Sequence, residues 1–145
     1  MINICYVCTG NTCRSIMAER LMKKALKNKR IKDVKVSSRG IFAKKEDINP
    51  NAISVLKKLN VSSSNRKSIK LGKIQKDTLY VVMTEEMRPY VKAEKVLTMK
   101  QLLGYDVLDP YGQAEEVYMQ TALQLQQANK IIIENIKMWR EKWLF

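Results

Sequence analysis

A cysteine and an arginine six positions apart, in Cys8-Thr-Gly-Asn-Thr-Cys-Arg14-Ser15, are the residues of this chain best suited to chemistry. An apolar run, Ile2 to Val7, leads into them, and a helical pattern follows. That order predicts a strand, a tight loop and a helix N-terminus. Backbone N–H groups at a helix start point toward an anion. The same field favours a thiolate over a thiol at such a position, and the thiolate is the nucleophilic form. Arg14 offers a planar fork that matches two phosphoryl oxygens. Gly10 is expected to give the loop its backbone freedom, and Ser15 to donate a hydroxyl hydrogen bond to the sulfur. The chemistry is capture of a phosphoryl group by Thr9 to Ser15, then attack of the Cys8 sulfur on phosphorus. A plainer reading is a buried strand-end cysteine beside a surface arginine. The Gly, Asn and Ser placed in and after the loop argue against it.

The rest of the chain must position this loop. Ile2 to Val7 reads as a buried strand. Cys13 to about Asn28 reads as a helix, with Ala18, Leu21, Met22 and Ala25 at helical spacing. A short strand, Val34 to Ser38, ends at Gly40. Pro50 opens a helix that runs through Leu59. Ser62 to Asn65 is loop, and Ile69 to Lys76 is a short helix or irregular. Thr78 to Met83 is the clearest interior strand. Thr84-Glu-Glu-Met87 has the form of a capping box for a following helix, and Lys95 to Thr98 makes a fourth strand. Gly104 to Gly112 is loop, and a long helix begins at Ala114. Strands alternating with helices predict an α/β fold: a single-domain three-layer sandwich, with a four-stranded parallel sheet and helices on both faces. Such sheets bind ligands at the carboxyl ends of their strands. The Cys8 loop sits at one of these ends.

The 145 residues suit one domain with its own core. No apolar run approaches the ~20 residues of a membrane span, and the N-terminus lacks the features of a signal peptide. The expectation is a cytoplasmic protein with no membrane partner. Three cysteines, Cys5, Cys8 and Cys13, do not make a disulfide framework. Strand alternation sends Cys5 and Cys8 to opposite faces, so Cys5 reads as a core thiol. The chain has no histidine and no second ligand pair, so no zinc or other metal is expected. The formal net charge is +13, and Lys23 to Lys35 holds seven basic residues and one acid. That stretch reads either as a solvated helix face or as an attractor of anionic partners. It carries no aromatic residues for base stacking, so nucleic acid is not expected. In the last helix, Val117, Thr121, Leu125, Ala128, Ile132 and Ile136 form a stripe that Trp139 and Trp143 continue. The two tryptophans end a core contact or form a partner surface, for instance for a homo-oligomer.

Cys8 to Ser15, followed by Met17-Ala18-Glu19, resembles the signature loop of the low-molecular-weight protein tyrosine phosphatase family. Asp109-Pro110 resembles that family's general-acid loop. The resemblance runs from Ile2 to about Ile136, and leaves open whether 137–145 lies outside the family core. Thr-Gly-Asn-Thr-Cys-Arg-Ser is most similar to the bacterial protein-arginine phosphatase branch. Thr12 there replaces the aliphatic residue usual in tyrosine phosphatases. Gly40-Ile-Phe-Ala43, Asp106 to Gly112 and Val117-Tyr118 resemble the same branch.

The resemblance implies phosphorylated protein substrates, inorganic phosphate as product, a phosphocysteine intermediate on Cys8, and no cofactor. Arg14 and the N–H groups from Thr9 to Arg14 would hold the equatorial oxygens. Asp109 would protonate the leaving group and then draw a proton from water. Asn11 would shape the loop. Thr12 would set specificity, or is a plain helix-start threonine. Asp106 would pair with a substrate guanidinium, or is solvated. From its closeness in sequence, Cys13 would form a reversible disulfide with Cys8, or is a packed thiol. Two departures stand out. Ile16 replaces a common proline, which should loosen the first helical turn, and Arg39 replaces a small residue and would crowd the loop or reach outward. A tyrosine phosphatase is the close alternative. An arsenate reductase is less favoured, since no cysteine follows Cys13. A non-catalytic phosphate-binding domain is the alternative of another class.

Overall fold

The computed structural model describes residues 1–62 and 65–143, apart from the Trp143 side chain. Strand β1 (Ile2–Cys8) is apolar almost throughout because it lies inside the sheet. Its neighbours are β2 (Val34–Gly40) and β3 (Thr78–Val82), and β4 (Val96–Thr98) pairs with β3. All pairings are parallel, in the order β2-β1-β3-β4. Strands covered on both faces read as continuous apolar runs rather than alternating ones. Every residue of β3 is buried. The connections carry α1 (Arg14–Asn28), α2 (Pro50–Lys58), a 3₁₀ turn (Glu85–Tyr90) and α3 (Met99–Leu103); α4 (Glu115–Trp143) closes the chain. The result is the parallel α/β sandwich predicted from the alternation. Tyr6 is fully buried and donates its hydroxyl to Asn129 of α4, whose amide in turn donates to the Ala18 carbonyl of α1. One buried polar chain thus ties sheet, first helix and last helix together.

Several local expectations change. Thr84 makes no side-chain cap, and the segment after it is a 3₁₀ turn with Pro89 inside. The cap comes from Asp106, whose Oδ1 accepts the Glu85 N–H at 3.0 Å. The capping box of the chain is at Thr98 and Gln101 and opens α3. Strand β4 runs into α3 with no loop between them, so no break in the sequence marks that helix. Residues 69–76 form no helix. They run irregularly, and Lys70 makes a single parallel bridge with Gly40. Ser63 and Ser64, in the expected loop, lie outside the described residues.

The two departures from the family pattern are accommodated. Ile16 is fully buried, and the Met17 N–H reaches the Cys13 carbonyl at 2.9 Å, so the first turn of α1 closes without proline. Arg39 lies on the sheet face that carries Cys5, Ser37 and Tyr80, and donates to the Ser38 carbonyl at 2.7 Å. It points away from the Cys8 loop. Trp139 is half-buried against the core, while the Trp143 side chain lies outside the described residues. Among the described residues, no helix is long and apolar enough to cross a membrane.

Candidate active site

The loop from Thr9 to Cys13 hangs between the end of β1 and the start of α1, and neighbouring backbone fixes its carbonyls. Ile41 N–H binds the Cys8 carbonyl at 2.9 Å, Phe42 N–H the Thr9 carbonyl at 2.8 Å, and Asn49 N–H the Thr12 carbonyl at 3.0 Å. The Asn11 N–H points to the Cys8 sulfur at 3.2 Å.

Asn11 takes a left-handed backbone conformation, φ 57°, and is fully buried. Asparagine tolerates this region better than most residues. Its side chain uses its whole hydrogen-bonding capacity. The amide nitrogen donates to Ser15 Oγ at 2.7 Å and to Ser38 Oγ at 2.9 Å. The amide oxygen accepts from Arg66 Nη1 at 3.0 Å and from the Ile69 N–H at 2.9 Å. Ser15 Oγ also lies 2.9 Å from Cys8 Sγ. Because that oxygen already accepts from Asn11, its hydrogen is free to point at the sulfur. A hydroxyl and an N–H thus converge on one sulfur.

A second layer holds the first. Ser38 Oγ donates to Glu19 Oε1 at 2.7 Å and accepts from Arg66 Nη2 at 2.8 Å. Glu19 is buried on α1, paired with Lys23 at 2.9 Å and Arg66 at 3.2 Å. Burial works against its charge, but the Ser38 and Lys23 hydrogen bonds and the Lys23 and Arg66 charges outweigh that. Its carboxyl is held below the usual range. Sequence reasoning missed Glu19, Ser38 and Arg66 as a group. The signal that was available is an acid at a buried position of α1, which needs a partner.

Gly10 does not carry the conformational role expected of it. Its φ is not positive, and a Cβ there would meet only Thr12 Oγ1 at 3.7 Å, an ordinary contact. The glycine that matters sterically is Gly40 on β2. A Cβ on it would fall 2.7 Å from the Gly10 carbonyl carbon, 2.8 Å from the Asn11 nitrogen and 2.9 Å from the Thr9 oxygen. The loop rests on the bare backbone of Gly40.

Arg14 is 4% exposed. Its Nη1 donates to the Val107 carbonyl at 3.0 Å, and its Nη2 lies 3.5 Å from Thr9 Oγ1 and 3.8 Å from Asp109 Oδ2. The Asp109 side chain is half-exposed, and its Oδ1 accepts the Tyr111 N–H at 3.0 Å. One guanidinium therefore joins the Cys8 loop to the segment carrying Asp109. Asp106 is engaged as the cap of the 3₁₀ turn, which neither reading of it anticipated. Cys13 is buried, with Thr12 Oγ1 at 3.7 Å and Tyr118 Oη at 3.8 Å. Burial pushes its thiol up, against the lowering effect of both hydroxyls. Tyr118 is buried too. Burial first, then Cys13 and Asp109, push its hydroxyl well above the usual range. Thr12 is half-buried. Phe42, tethered to Thr9 through its N–H, meets Tyr90 edge-to-face with centroids 5.6 Å apart, and both rings are exposed. Tyr111 is exposed beside Asp109. Among the described residues no group of His, Cys, Asp or Glu is placed to hold a metal ion.

Known proteins are similar to this chain. The model of the family described as low molecular weight phosphotyrosine protein phosphatase matches residues 3–142. A protein-arginine-phosphatase of Geobacillus stearothermophilus is 37% identical over 127 residues, covering 79% of this chain and 82% of the relative. The low molecular weight protein-tyrosine-phosphatase PtpA of Staphylococcus aureus (strain MRSA252) is 32% identical over 123 residues, covering 77% and 79%. The solved YwlE arginine phosphatase, as a cysteine-to-serine mutant with a phosphorylated active site serine, superposes with a TM-score of 0.82 at 30% identity. That match covers 94% of this chain and 96% of the other.

The contact between Gly40 and the loop gives a prediction. Gly40→Ala forces the loop to move, because the three atoms it would strike are all backbone. The expected cost is about 1–3 kcal/mol of stability, as for other overpacked sites. Turnover of an aryl phosphate should fall by roughly 10²-fold, since the loop that positions the reaction is displaced. Urea unfolding and steady-state rates check both. A wild-type midpoint together with wild-type turnover would mean that the loop yields freely.

Proposed function

We propose that this chain, which belongs to the low molecular weight phosphotyrosine protein phosphatase family, hydrolyses phosphoarginine on proteins through a phosphocysteine on Cys8. The observation that carries the chemistry is the Cys8 sulfur held by Ser15 and Asn11 inside a loop tied to the Arg14 guanidinium. The Cys8 thiolate attacks phosphorus, and the P–N bond to the arginine breaks. The loop N–H groups and Arg14 take up charge on the equatorial oxygens. Asp109, close to Arg14 and half-exposed, gives its proton to the leaving guanidine. A water then attacks phosphorus and loses a proton to Asp109. Phosphate departs and the thiolate returns.

Arginine is favoured as substrate by Thr12, and by the protein-arginine phosphatases among the relatives. A half-buried hydroxyl in the loop suits a polar guanidinium and orients the attacking water. A tyrosine ring would gain more from an apolar wall. Hydrolysis of phosphotyrosine is the second reading. The exposed rings of Phe42, Tyr90 and Tyr111 around the site support it, as do the tyrosine phosphatases among the relatives. We place the enzyme in the cytoplasm, where a nucleophilic thiol is kept reduced; recovery in the membrane fraction or the medium would overturn this. Cys13 is taken as the thiol that closes on an oxidised Cys8.

Rates on phosphoarginine and phosphotyrosine peptides decide the substrate. Thr12→Ile should lower kcat/KM on phosphoarginine and raise it on phosphotyrosine. Unpaired polar groups can discriminate by more than the ~1–3 kcal/mol of a methylene-sized difference. A fixed ratio of the two rates would remove Thr12 from specificity.

Asp109→Ala should lower the rate by ~10²–10⁴-fold on substrates with poor leaving groups, and by much less on activated ones. Equal losses on both would make Asp109 structural.

Mild peroxide should inactivate the enzyme reversibly, with mass mapping placing a bond between Cys8 and Cys13. If Cys13→Ser recovers as fully as the parent, Cys13 is a packing residue only.

A further inference from the structure

The basic stretch between α1 and β2 has no part in the reaction. The strand it leads into is an edge of the sheet. Gly40 shows which of its backbone groups face outward: its N–H bonds the Ile69 carbonyl and its carbonyl accepts the Leu71 N–H. The Ile41 N–H, one residue on, turns inward to Cys8. By the two-residue period of a strand, Val34, Val36 and Ser38 also face outward. The Ser38 carbonyl is covered by Arg39. Among the described residues, no other backbone group crosses this edge before Gly40.

Beside the open edge lies a groove of about 540 Å³. Leu26, Ile31, Val34 and Val36 give it apolar walls. Lys27, Arg30 and Lys32 rim it, none of them in an ion pair with a described residue. The one acid of the stretch, Asp33, is taken by Arg140 of α4. No acidic residue lines the groove. On the far side of the same strand, Lys35 and Arg39 alternate with Ser37.

We propose that this edge receives an extended acidic segment of a partner protein, which pairs with β2 as a fifth strand. Strand addition satisfies the open N–H and C=O groups, and alternate side chains read the two faces. Aliphatic residues on one face of the segment enter the groove. Carboxylates on the other meet Lys35 and Arg39, and the rim of Lys27, Arg30 and Lys32 adds attraction at longer range. Edge lysines also keep like-charged copies of this chain from pairing with one another, and the same charges admit an acidic strand. A phosphodiester chain would leave the apolar walls unused and find no ring to stack on. A membrane would need projecting apolar side chains, and residues 23–36 expose no large ones. The groove lies toward the Val34 end of the edge, six residues or about 20 Å at ~3.3 Å per residue from Gly40 under the Cys8 loop.

The probe is a fluorescent peptide about ten residues long alternating Val and Glu, enough to span the edge. Binding to the full chain is followed by anisotropy at low salt, and protection of the Val34 and Val36 amides by hydrogen exchange. The expected Kd is on the order of 10⁻⁵ M. It should weaken at least about tenfold for the same peptide N-methylated on alternate residues, and as much for K32E/K35E at unchanged aryl phosphatase turnover. The Val34 and Val36 amides should gain protection on binding. Equal binding of the N-methylated peptide would reduce the surface to a plain polyanion attractor and overturn the proposal. Failure of the peptide to bind would do the same, as would tighter binding of a DNA duplex or of anionic phosphatidylglycerol vesicles.

Discussion

Everything at the candidate site depends on one buried amide. Asn11 holds a backbone conformation that costs free energy, and it is retained because four hydrogen bonds fix its side chain. Its N–H and, through Ser15, its amide nitrogen both bear on the Cys8 sulfur. The shape of the loop and the surroundings of the Cys8 sulfur are therefore one problem. A buried polar network rigidifies when every member is satisfied, and this one continues through Ser38 to Glu19 and its cations.

Charge is arranged in layers around that amide. Arg14 stands in front, shared between Thr9, the Val107 carbonyl and Asp109. Arg66 stands behind, where it offsets the buried Glu19. Removing the partner of a buried charge costs far more than the pair contributes when intact. The rear layer is a support for the loop, and the front layer is the one the proposed reaction uses. The sheet makes this spacing possible. Gly40 has no side chain where the loop passes, and the next residue back, Arg39, turns to the other face.

The strand-loop-helix around Cys8 was legible because its signals are local: an apolar run, a helical period, and a thiol and a guanidinium at fixed spacing. The parallel sheet was legible from the alternation of elements. The supports were not. Asn11 finds its partners at positions 15, 38, 66 and 69, and no local pattern announces an arginine in an irregular stretch as a ligand for a buried amide. Gly10 drew attention because it lies in the motif, whereas the constraint falls on Gly40, thirty residues away. Helix α3 escaped notice because Thr98 ends a strand and caps a helix at once. Asp106 read as either a partner for a substrate guanidinium or a solvated acid, and the backbone N–H of Glu85 engages it.

The reach of the Asn11 contacts also bears on the order of assembly. Cys8 is synthesised well before its distant supports at 66–69 and 107. Its loop has no defined shape until residues 66–69 arrive to hold the Asn11 oxygen, and Arg14 has no anchor until Val107 follows. Contacts between residues so far apart in sequence form later than local ones. A partly made chain thus carries an unshaped thiol rather than a working one, and catalytic competence comes with the last long-range contacts to close.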